Sequence, residues 1–353
     1  MPTVAVVPGE GAAVEALETT LEVLQSMALG LRFVHPLVGE RALAAGLPAF
    51  PDMARTAIDD ADATLFGATS GPSAAALFYL RWGMQTFANV RPIRWFPGMP
   101  SVLADPTGID LVIVRENLED AYVAIEGDLA VLEPLALTSR TAGVAPHLMG
   151  EGRFALKAIT RAKSEQVVRH AFKLARARKL AGGRGLVTAS AKHNMLPQTD
   201  GLFMEVATQV AADFPDIGFE TLIIDDCAHR LVRMPNRFDV LVMPNLYGDI
   251  LSDMAAGLVG GLGVAASGCF GADYAYFESA HGTAPDIAGK NIVNPTATLL
   301  SAAMMLEYLG FGNAAARLRT GIERVYADGL TLTPDVGGKA TTHAFGAAVI
   351  ASL

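Results

Sequence analysis

Two aspartates at helical spacing form the most chemically specific stretch of the sequence. Asp249 and Asp253 end the segment NLYGDILSD and lie four residues apart at the predicted start of a helix. Both carboxylates therefore project from one face of that helix. Such a pair suits a hard divalent cation, Mg²⁺ or Mn²⁺. An acidic first turn that complements the helix dipole is an equally simple interpretation.

Three arginines form a second candidate set. Arg81 and Arg91 lie in LRWGMQTFANVRP, and Arg115 comes directly after a predicted strand, where α/β enzymes place ligand-binding groups. A guanidinium holds a carboxylate through two parallel hydrogen bonds, so three arginines suit a dicarboxylate. Taken singly, each arginine is more simply a solvated surface residue.

Two proton-transfer candidates and one long loop complete the inventory. Tyr122 follows Arg115 at a short distance, and Lys192 lies just past the predicted strand Leu186–Ala189. Both side chains can move protons when neighbouring charges tune them, although a lone Tyr or Lys is usually structural. The stretch 277–295 is rich in Gly, Pro and small polar residues, which is typical of an ordered loop that presents backbone donors to a nucleotide. An ordinary long connection is the alternative.

Alternating strands and helices must position these residues. The pattern predicts an α/β architecture with a largely parallel sheet. Predicted strands cover 4–7, 63–66, 111–114, 186–189, 222–224 and 240–243, and predicted helices cover 13–27, 164–179, 201–213 and 249–258. Gly9-Glu10-Gly11 follows the first strand like the start of a dinucleotide fingerprint. The third glycine is missing, because Val14 occupies its position, so we interpret this segment as a simple turn and reject a Rossmann fold.

Composition narrows the class of protein. A chain of 353 residues exceeds the usual size of one hydrophobic core, so two domains are expected. Its 51% hydrophobic and 18% charged residues are typical of a globular protein, and its net charge of −9 argues against nucleic-acid binding. Two cysteines are too few for a disulfide framework. With no signal sequence and no membrane-length apolar run, we expect a cytoplasmic protein that does not bind membranes.

Three long motifs identify a family resemblance. The segments NLYGDILSDMAAGLVGGLG, FESAHGTAPDIAGKNIVNPTATLLSAAMMLEYLG and LRWGMQTFANVRPIRWFPG resemble the isocitrate/isopropylmalate dehydrogenase family of β-decarboxylating dehydrogenases. The resemblance runs from VAVVPGEG to GGKATTHAF. It implies a two-domain α/β fold with parallel or mixed sheets, distinct from the Rossmann fold, in a homodimer with shared active sites. It also implies a cofactor-side domain formed by residues 1–87 plus 260–353 and a dimerisation, substrate and metal domain formed by residues 88–259.

The resemblance assigns a role to each candidate residue. Tyr122 and Lys192 match the family's catalytic pair, with Lys192 reaching across the dimer. Arg81, Arg91 and Arg115 match the arginines that bind the substrate carboxylates. Asp249 and Asp253 match metal ligands, and Asp225 matches a ligand donated by the other subunit. The residues that match the cofactor loop are Glu278, His281, Gly282, Thr283, Ala284, Asp286 and Asn294.

The resemblance also indicates the cofactor and the type of substrate. In NADP-using members a Lys-Tyr pair replaces Asp286 and Ile287, and a carboxylate at this point repels a 2′-phosphate, so we expect NAD. Leu77 matches an apolar specificity position of the isopropylmalate enzymes, and Phe78 stands where homoisocitrate enzymes have an arginine. An apolar pocket disfavours a third carboxylate. We therefore expect isopropylmalate, a related alkylmalate, malate or tartrate to be oxidatively decarboxylated with Mg²⁺ or Mn²⁺.

Other segments keep alternatives open. LPQTDGLF and the surroundings of Asp225 are closer to the homoisocitrate and isocitrate branches. The family's GDGIGPE is GEGAAVE here, its RENTEG is RENLED at 115–120, and the segment before Arg81 is short. Isocitrate or homoisocitrate is thus the alternative substrate. A non-catalytic regulatory relative and a dehydrogenase that does not decarboxylate are the alternative functions.

Overall fold

Twelve strands and eleven α-helices make up the fold. The structure, a computed structural model, describes residues 1–353. The strands are β1 (Thr3–Val7), β2 (Arg32–Val34), β3 (Ala63–Phe66), β4 (Ala88–Arg94), β5 (Asp110–Glu116), β6 (Glu126–Asp128), β7 (Arg153–Ala155), β8 (Leu186–Ala191), β9 (Gly218–Ile223), β10 (Val240–Met243), β11 (Ala266–Phe270) and β12 (Ala275–Ser279). The helices are α1 (Ala13–Ser26), α2 (Glu40–Ala44), α3 (Asp52–Asp59), α4 (Ala74–Phe78), α5 (Arg161–Leu180), α6 (Thr199–Ala211), α7 (Ile224–Arg233), α8 (Asn245–Ala256), α9 (Thr296–Tyr308), α10 (Gly312–Asp328) and α11 (Thr342–Ala351).

One mixed sheet of ten strands runs through the chain in the order β2-β1-β3-β12-β11-β4-β5-β10-β8-β9. At one end of the sheet, β2, β1, β3 and β12 are mutually parallel, and at the other end β5, β10, β8 and β9 are mutually parallel. Between them, β12 pairs with β11, β11 with β4 and β4 with β5 in antiparallel fashion. A Rossmann sheet is parallel with a different strand order. The predicted α/β fold with a mixed, non-Rossmann sheet is therefore confirmed.

Helices cover both faces of the sheet. Along β5, Val112 and Val114 belong to the core cluster that includes α5, whereas Leu111 and Ile113 belong to the cluster that includes α8. Side chains alternate between the two faces of a strand, and here both faces are apolar. Such a strand must be buried on both sides, as is typical of parallel sheets.

The strand order reflects two sets of chain segments. Strands β1, β2, β3, β11 and β12 come from the two ends of the chain, residues 3–66 and 266–279, and β4, β5 and β8–β10 come from residues 88–243 between them. The two sets meet where β11 pairs with β4. This order agrees with the expected two-domain arrangement, while the boundaries 1–87 plus 260–353 and 88–259 stay a prediction. None of the helices combines the length and apolarity required to cross a membrane.

Two predicted element boundaries differ from the structure in ways that affect the site. Helix α8 begins at Asn245 and ends at Ala256, whereas the prediction began at Asp249. Strand β9 ends at Ile223 and is followed at once by α7, so Asp225 lies in a first helical turn. Strands β4, β11 and β12, which form the antiparallel centre, were absent from the sequence prediction.

Helix α8 lies unusually close to β5. A Cβ atom built on Gly248 would lie 2.6 Å from the Cβ and Cγ atoms of Arg115 and 3.0 Å from its Cα atom. Only glycine permits this approach, because the obstructing atoms include backbone that cannot rotate away. The close contact brings the carboxylates of α8 within reach of the arginines on the sheet.

Replacing Gly248 with alanine is therefore expected to destabilise the protein, whereas replacing Gly201 of α6 with alanine is expected to stabilise it. Gly248→Ala is expected to lower the free energy of unfolding by about 1–3 kcal/mol through overpacking. Gly201→Ala is the matched control in α6, where a new Cβ meets no atom within 4 Å. It should raise stability by about 0.5–1 kcal/mol. Urea unfolding of both variants measures the difference, and equal effects would contradict the packing account.

Candidate active site

Two carboxylates on α8 are paired with two arginines on the sheet. Arg91 of β4 donates through Nη1 to Asp253 at 2.9 Å, and its Nη1 lies 3.6 Å from Asp249 Oδ1. Arg115 of β5 donates to the same oxygen of Asp249. Arg91 and Arg115 are 7% and 2% exposed. Buried guanidinium groups require such partners, so these pairs join the helix to the sheet.

The position of the carboxylates excludes the helix-dipole interpretation. The first turn of α8 contains no acidic residue, and Asp249 and Asp253 lie in the middle and the last turn of the helix. Carboxylates towards a helix C-terminus face the negative end of the dipole and gain nothing from it. The spacing of the two aspartates thus serves the site rather than the helix.

Neighbouring polar groups hold the arginines in place. Arg115 Nε donates to Asn245 Oδ1 at 2.9 Å, and Arg91 Nη1 donates to Ser252 Oγ at 2.7 Å. Burial, reinforced by the charge of Arg91, lowers the pKa of Arg115 to about 10. Neighbouring positive charges disfavour the protonated form of each arginine. Anions bound beside these arginines are therefore stabilised.

Arg81, which lies between β3 and β4, contributes a third arginine to the same pocket. It lies in a π-helical turn, Tyr79–Gly83, that continues α4, and its Nε is buried without a hydrogen-bond partner. Burial lowers the pKa of Arg81, but Tyr276 and Glu278 outweigh it and the net shift is upward. Burial raises the pKa of Glu278, against the opposing effect of Arg81. Arg81 therefore stays cationic and has a donor to spare.

Tyr122 completes the wall beside Asp249. It lies in a short 3₁₀ turn after β5, donates its hydroxyl hydrogen to Asp249 Oδ2, and has the Arg115 guanidinium 5.0 Å from its ring centroid. Burial and the hydrogen bond to Asp249 raise its pKa, so the phenol keeps its proton. A protonated phenol beside a carboxylate and a guanidinium is a suitable proton donor.

These residues surround one pocket of about 200 Å³. It is a polar site at the junction of the two sets of strands, of a size for a small acid. Its walls consist of Ala68, Thr69, Leu77, Arg81, Arg91, Arg115, Tyr122, Asp249, Glu278, Ser279, Ala280, His281 and Gly282. Nine of the predicted site residues are therefore brought together.

Lys192 and Asp225 lie outside this pocket. They form an ion pair with each other at the ends of β8 and β9, and Lys192 holds the pKa of Asp225 below its usual range. Strands β5, β10, β8 and β9 are adjacent and parallel, so their ends share one edge at spacings of about 4.8 Å. Lys192 thus follows the second strand from Arg115, and Asp225 the third, beyond the reach of the same pocket.

Two carboxylates of the pocket region could hold part of a metal site. No group of three or more His, Cys, Asp or Glu side chains converges to hold an ion. Asp249 and Asp253 supply hard oxygen ligands of the type that Mg²⁺ and Mn²⁺ prefer. The residues present fit such an ion, provided that a further ligand comes from elsewhere.

The predicted cofactor loop runs from the pocket to the surface. His281 Nδ1 donates to the Gly282 carbonyl at 2.8 Å, which leaves its buried Nε2 as an acceptor without a partner. Burial lowers the pKa of His281, so the imidazole is neutral. Ala284 adopts a left-handed conformation, and Asp286 is exposed in the next turn. An orphaned buried acceptor beside exposed backbone fits a bound nucleotide.

Two further loop residues hold the loop in place. Thr283 bonds the Ser70 hydroxyl at 3.0 Å and accepts the Ala12 amide through its carbonyl at 2.8 Å. Asn294 is buried and donates to Tyr326 and Asp335. The turn at Gly9–Gly11, although it is no Rossmann fingerprint, packs against the predicted cofactor loop, where Gly11 lies against Thr283.

The two predicted specificity residues lie in different environments. Leu77 lines the pocket, whereas Phe78 is 56% exposed and packs on Trp82 with ring centroids 5.4 Å apart. Asn245, Ser252 and Thr69, which the sequence analysis did not nominate, contact the arginines or line the pocket. Asn245 and Ser252 lie inside the NLYGDILSD motif that contains Asp249 and Asp253. Their position in that motif was the only indication in the sequence that they belong to the site.

A larger cavity of about 830 Å³ lies behind the sheet, between α5 and α9. Its lining is mostly apolar, and its charged rim is already paired, with Arg94 bonded to Glu323 at 2.9 Å and Arg319 bonded to Glu307. Arg178, which also lines this cavity, is bonded to Asp239 at 2.6 Å, so most of the charges there are already neutralised. The smaller pocket is therefore the candidate active site, since chemistry depends on converging polar groups rather than on volume.

The sequence is similar to those of several known proteins. The sequence model of the family described as isocitrate/isopropylmalate dehydrogenase matches residues 3–349. The chain is 40% identical to a 3-isopropylmalate/3-methylmalate dehydrogenase of Methanocaldococcus jannaschii, over 97% of this chain and 96% of that protein. It is also 40% identical to an isocitrate/homoisocitrate dehydrogenase of Thermus thermophilus, over 99% and 98% of the two lengths.

A solved structure shows the same fold. An isocitrate dehydrogenase from Methylococcus capsulatus superimposes with a TM-score of 0.85 at 34% sequence identity. The match covers 100% of this chain and 99% of that one. The relatives thus agree on the family and the fold, and their printed names differ in substrate.

A buried carboxyl next to the site should make stability depend on pH. Glu116 is 1% exposed and accepts the amides of Leu118 and Glu119, and burial raises its pKa from 4.5 to about 7. The folded protein therefore holds a proton that the unfolded chain has lost between these values. This group makes stability fall as the pH rises from 4.5 to 7, by up to about 1.4 kcal/mol per unit.

Glu116→Gln should remove that slope. The free energy of unfolding, measured by denaturant titration at pH 5 and pH 7, is expected to fall more between these values in the parent than in the variant. Parallel curves for the two proteins would show that Glu116 titrates normally.

Proposed function

Because the chain belongs to the isocitrate/isopropylmalate dehydrogenase family, we propose that it oxidises and decarboxylates a malate-type 2-hydroxy acid, with NAD and Mg²⁺ or Mn²⁺. The observation that carries this proposal is the 200 Å³ pocket, where three arginines, Tyr122 and Asp249 converge. Cationic donors for two carboxylates stand there beside a metal ligand and a proton donor. This set matches the requirements of the reaction.

The arginines bind and orient the substrate. Arg81 has an unused buried donor, and Arg91 and Arg115 can turn from the aspartates to a substrate carboxylate when a cation neutralises those aspartates. Forked guanidinium groups fix a carboxylate in one plane and orientation. Such fixation brings C2 and C3 of the acid to defined positions before reaction.

Asp249 and Asp253, with Asp225 of the partner subunit, would hold the divalent ion. That ion supplies Lewis acidity, which acidifies the C2 hydroxyl and stabilises negative charge after loss of CO₂. The oxygen ligands of these aspartates support this assignment. A ligand from the partner subunit is needed because no three acidic side chains converge within one chain.

Two side chains move the protons. Lys192 of the partner subunit would accept the proton of the C2 hydroxyl as C2 is oxidised to a carbonyl, and the bound NAD would supply the hydride acceptor for this oxidation. The C3–carboxylate bond then breaks, and CO₂ leaves with its electron pair retained on C3. Tyr122 of the same chain as Asp249 donates a proton to C3 as general acid. The position of its hydroxyl against Asp249 supports this role.

The apolar part of the pocket favours a substrate with a hydrocarbon substituent. Leu77, Ala68 and Ala280 form this part, and Phe78 contributes no group to it. A third carboxylate in such surroundings would be buried without a partner. Isopropylmalate or a related alkylmalate, with malate and tartrate next, is therefore the proposed substrate. Isocitrate or homoisocitrate is the alternative, because a relative with that printed name is equally similar.

The cofactor loop favours NAD over NADP. Asp286 is exposed where the adenosine ribose would lie if the loop binds as the family resemblance implies. A carboxylate accepts hydrogen bonds from ribose hydroxyls and repels a 2′-phosphate. The neutral, orphaned Nε2 of His281 offers an acceptor at the inner end of the same loop.

One assay tests the reaction, the substrate and the cofactor together. With Mn²⁺, we expect formation of NADH from isopropylmalate, D-malate or tartrate, release of one CO₂ per NADH, and a much lower rate with NADP. NADH without CO₂ would indicate a dehydrogenase that does not decarboxylate. Turnover of isocitrate or homoisocitrate alone would refute the substrate assignment, and silence with every acid and both cofactors would favour a non-catalytic relative.

A further inference from the structure

A buried cluster of charges links three segments of the active site. Lys157 Nζ lies 2.6 Å from Asp200 Oδ1, 3.3 Å from Asp120 Oδ1 and 3.3 Å from the Tyr247 hydroxyl. Both aspartates are fully buried, and the lysine side chain is 19% exposed. One ammonium group is thus shared by two carboxylates that belong to different parts of the chain.

Each partner of Lys157 holds a different catalytic segment. Asp200 Oδ2 accepts the backbone amide of Lys192 at 2.8 Å. Asp120 Oδ1 accepts the amide of Ala121, next to Tyr122, and Asp120 Oδ2 accepts the amide of Leu246 in the first turn of α8. The cluster therefore connects the segments that carry Tyr122, Lys192 and Asp249.

The backbone of Asp120 shows that this arrangement is imposed rather than relaxed. Its φ of +69° and ψ of −142° form a conformation that glycine adopts readily and other residues rarely. A non-glycine residue persists there only when its surroundings determine it. Here the surroundings are Lys157, the two amides and a backbone bridge to Ala158. The interactions of the Asp120 carboxylate with Lys157 and the two amides thus outweigh the strain of its backbone conformation.

We propose that Lys157, through Asp120 and Asp200, is a positioning residue that sets the relative placement of the segments bearing Tyr122, Lys192 and Asp249. Lys157 does not line the pocket. It acts by neutralising two carboxylates that would otherwise repel each other and release the amides they hold. This inference rests on the proposed function, because it concerns the alignment of that reaction's groups.

The cluster also joins two halves of different sites if Lys192 serves the partner subunit. In that arrangement Asp200 holds the lysine of one site and Asp120 holds the tyrosine segment of the other. Loss of Lys157 should then disturb the proton donor and the proton acceptor together. Misplacement of reacting groups by about 1 Å can cost about 100-fold in rate, so the expected signature is a fall in kcat rather than a rise in KM.

Four variants test the proposal. Lys157→Met should lower kcat by tenfold or more while KM changes less than about threefold, and Lys157→Arg should recover part of the loss. Asp120→Gly removes the carboxylate and relieves the backbone, so it should lower kcat without lowering the melting temperature. Lys173→Met, at an exposed lysine of α5, is the matched control and should leave both constants unchanged.

Parent-like kcat in Asp120→Gly or Lys157→Met would overturn the proposal, as would a loss confined to KM. Hydrogen exchange provides a readout that does not need turnover. The amides of Lys192 and Leu246 should exchange faster in Lys157→Met than in Lys173→Met. If the parent protein proves inactive, the proposed function fails, and the exchange rates still decide whether Lys157 holds these segments. Unchanged exchange at both amides would refute it.

Discussion

The pairing of Arg91 and Arg115 with Asp249 and Asp253 is the interaction on which the rest of the site depends. It joins α8 to the sheet, and the opposing groups are nearly balanced, with Arg81, Arg91 and Arg115 against Asp249, Asp253 and Glu278. A buried site tolerates little net charge. The proposed dication and dicarboxylate would preserve that balance if they bound together, whereas either one alone would upset it. The charge pattern thus favours joint binding of metal and acid.

The scaffold brings these charges together through the direction of its strands. Strands β5, β10, β8 and β9 are parallel, so Arg115, the start of α8, Lys192 and Asp225 all lie along one edge. Antiparallel β4 adds Arg91, and β12 adds Glu278 from the other set of segments. The same geometry separates Lys192 and Asp225 from the pocket of their own chain. The ordering of the strands therefore accounts both for what converges and for what does not.

Much of the site could be predicted from the sequence, because its chemistry is concentrated in short motifs. Residue type and spacing nominated the aspartate pair and Arg115, which lies within β5 rather than just after the predicted strand, and the family resemblance favoured their functional interpretation. The start of α8 was misplaced by four residues, since Asn245 to Gly248 contain no strong helix signal. Strand β11 escaped prediction because ASGCF has no β-branched residue. Strand β12 escaped because its last three residues, 277–279, were wrongly assigned to the start of the cofactor loop.

Long-range contacts were beyond sequence reasoning. Nothing near Lys157 in the chain indicates that it meets Asp120 and Asp200, and only the fold reveals that Asp120 takes a glycine-like conformation. The incomplete metal site is similar, because a ligand that follows another strand cannot be placed by spacing. Motifs predict which groups take part, whereas the topology decides which of them share a pocket.

Subunit complementation tests most directly the claim that one site combines residues of two chains. Differently tagged Tyr122→Phe and Lys192→Met chains are coexpressed, and the heterodimer is purified and assayed with the preferred acid. One intact site per dimer predicts about half of the parent activity, although each variant homodimer is nearly inactive. Tyr122→Phe paired with Asp249→Asn is the control and should stay inactive, because these two residues belong to the same site of one chain. An inactive Tyr122→Phe/Lys192→Met heterodimer would contradict the account.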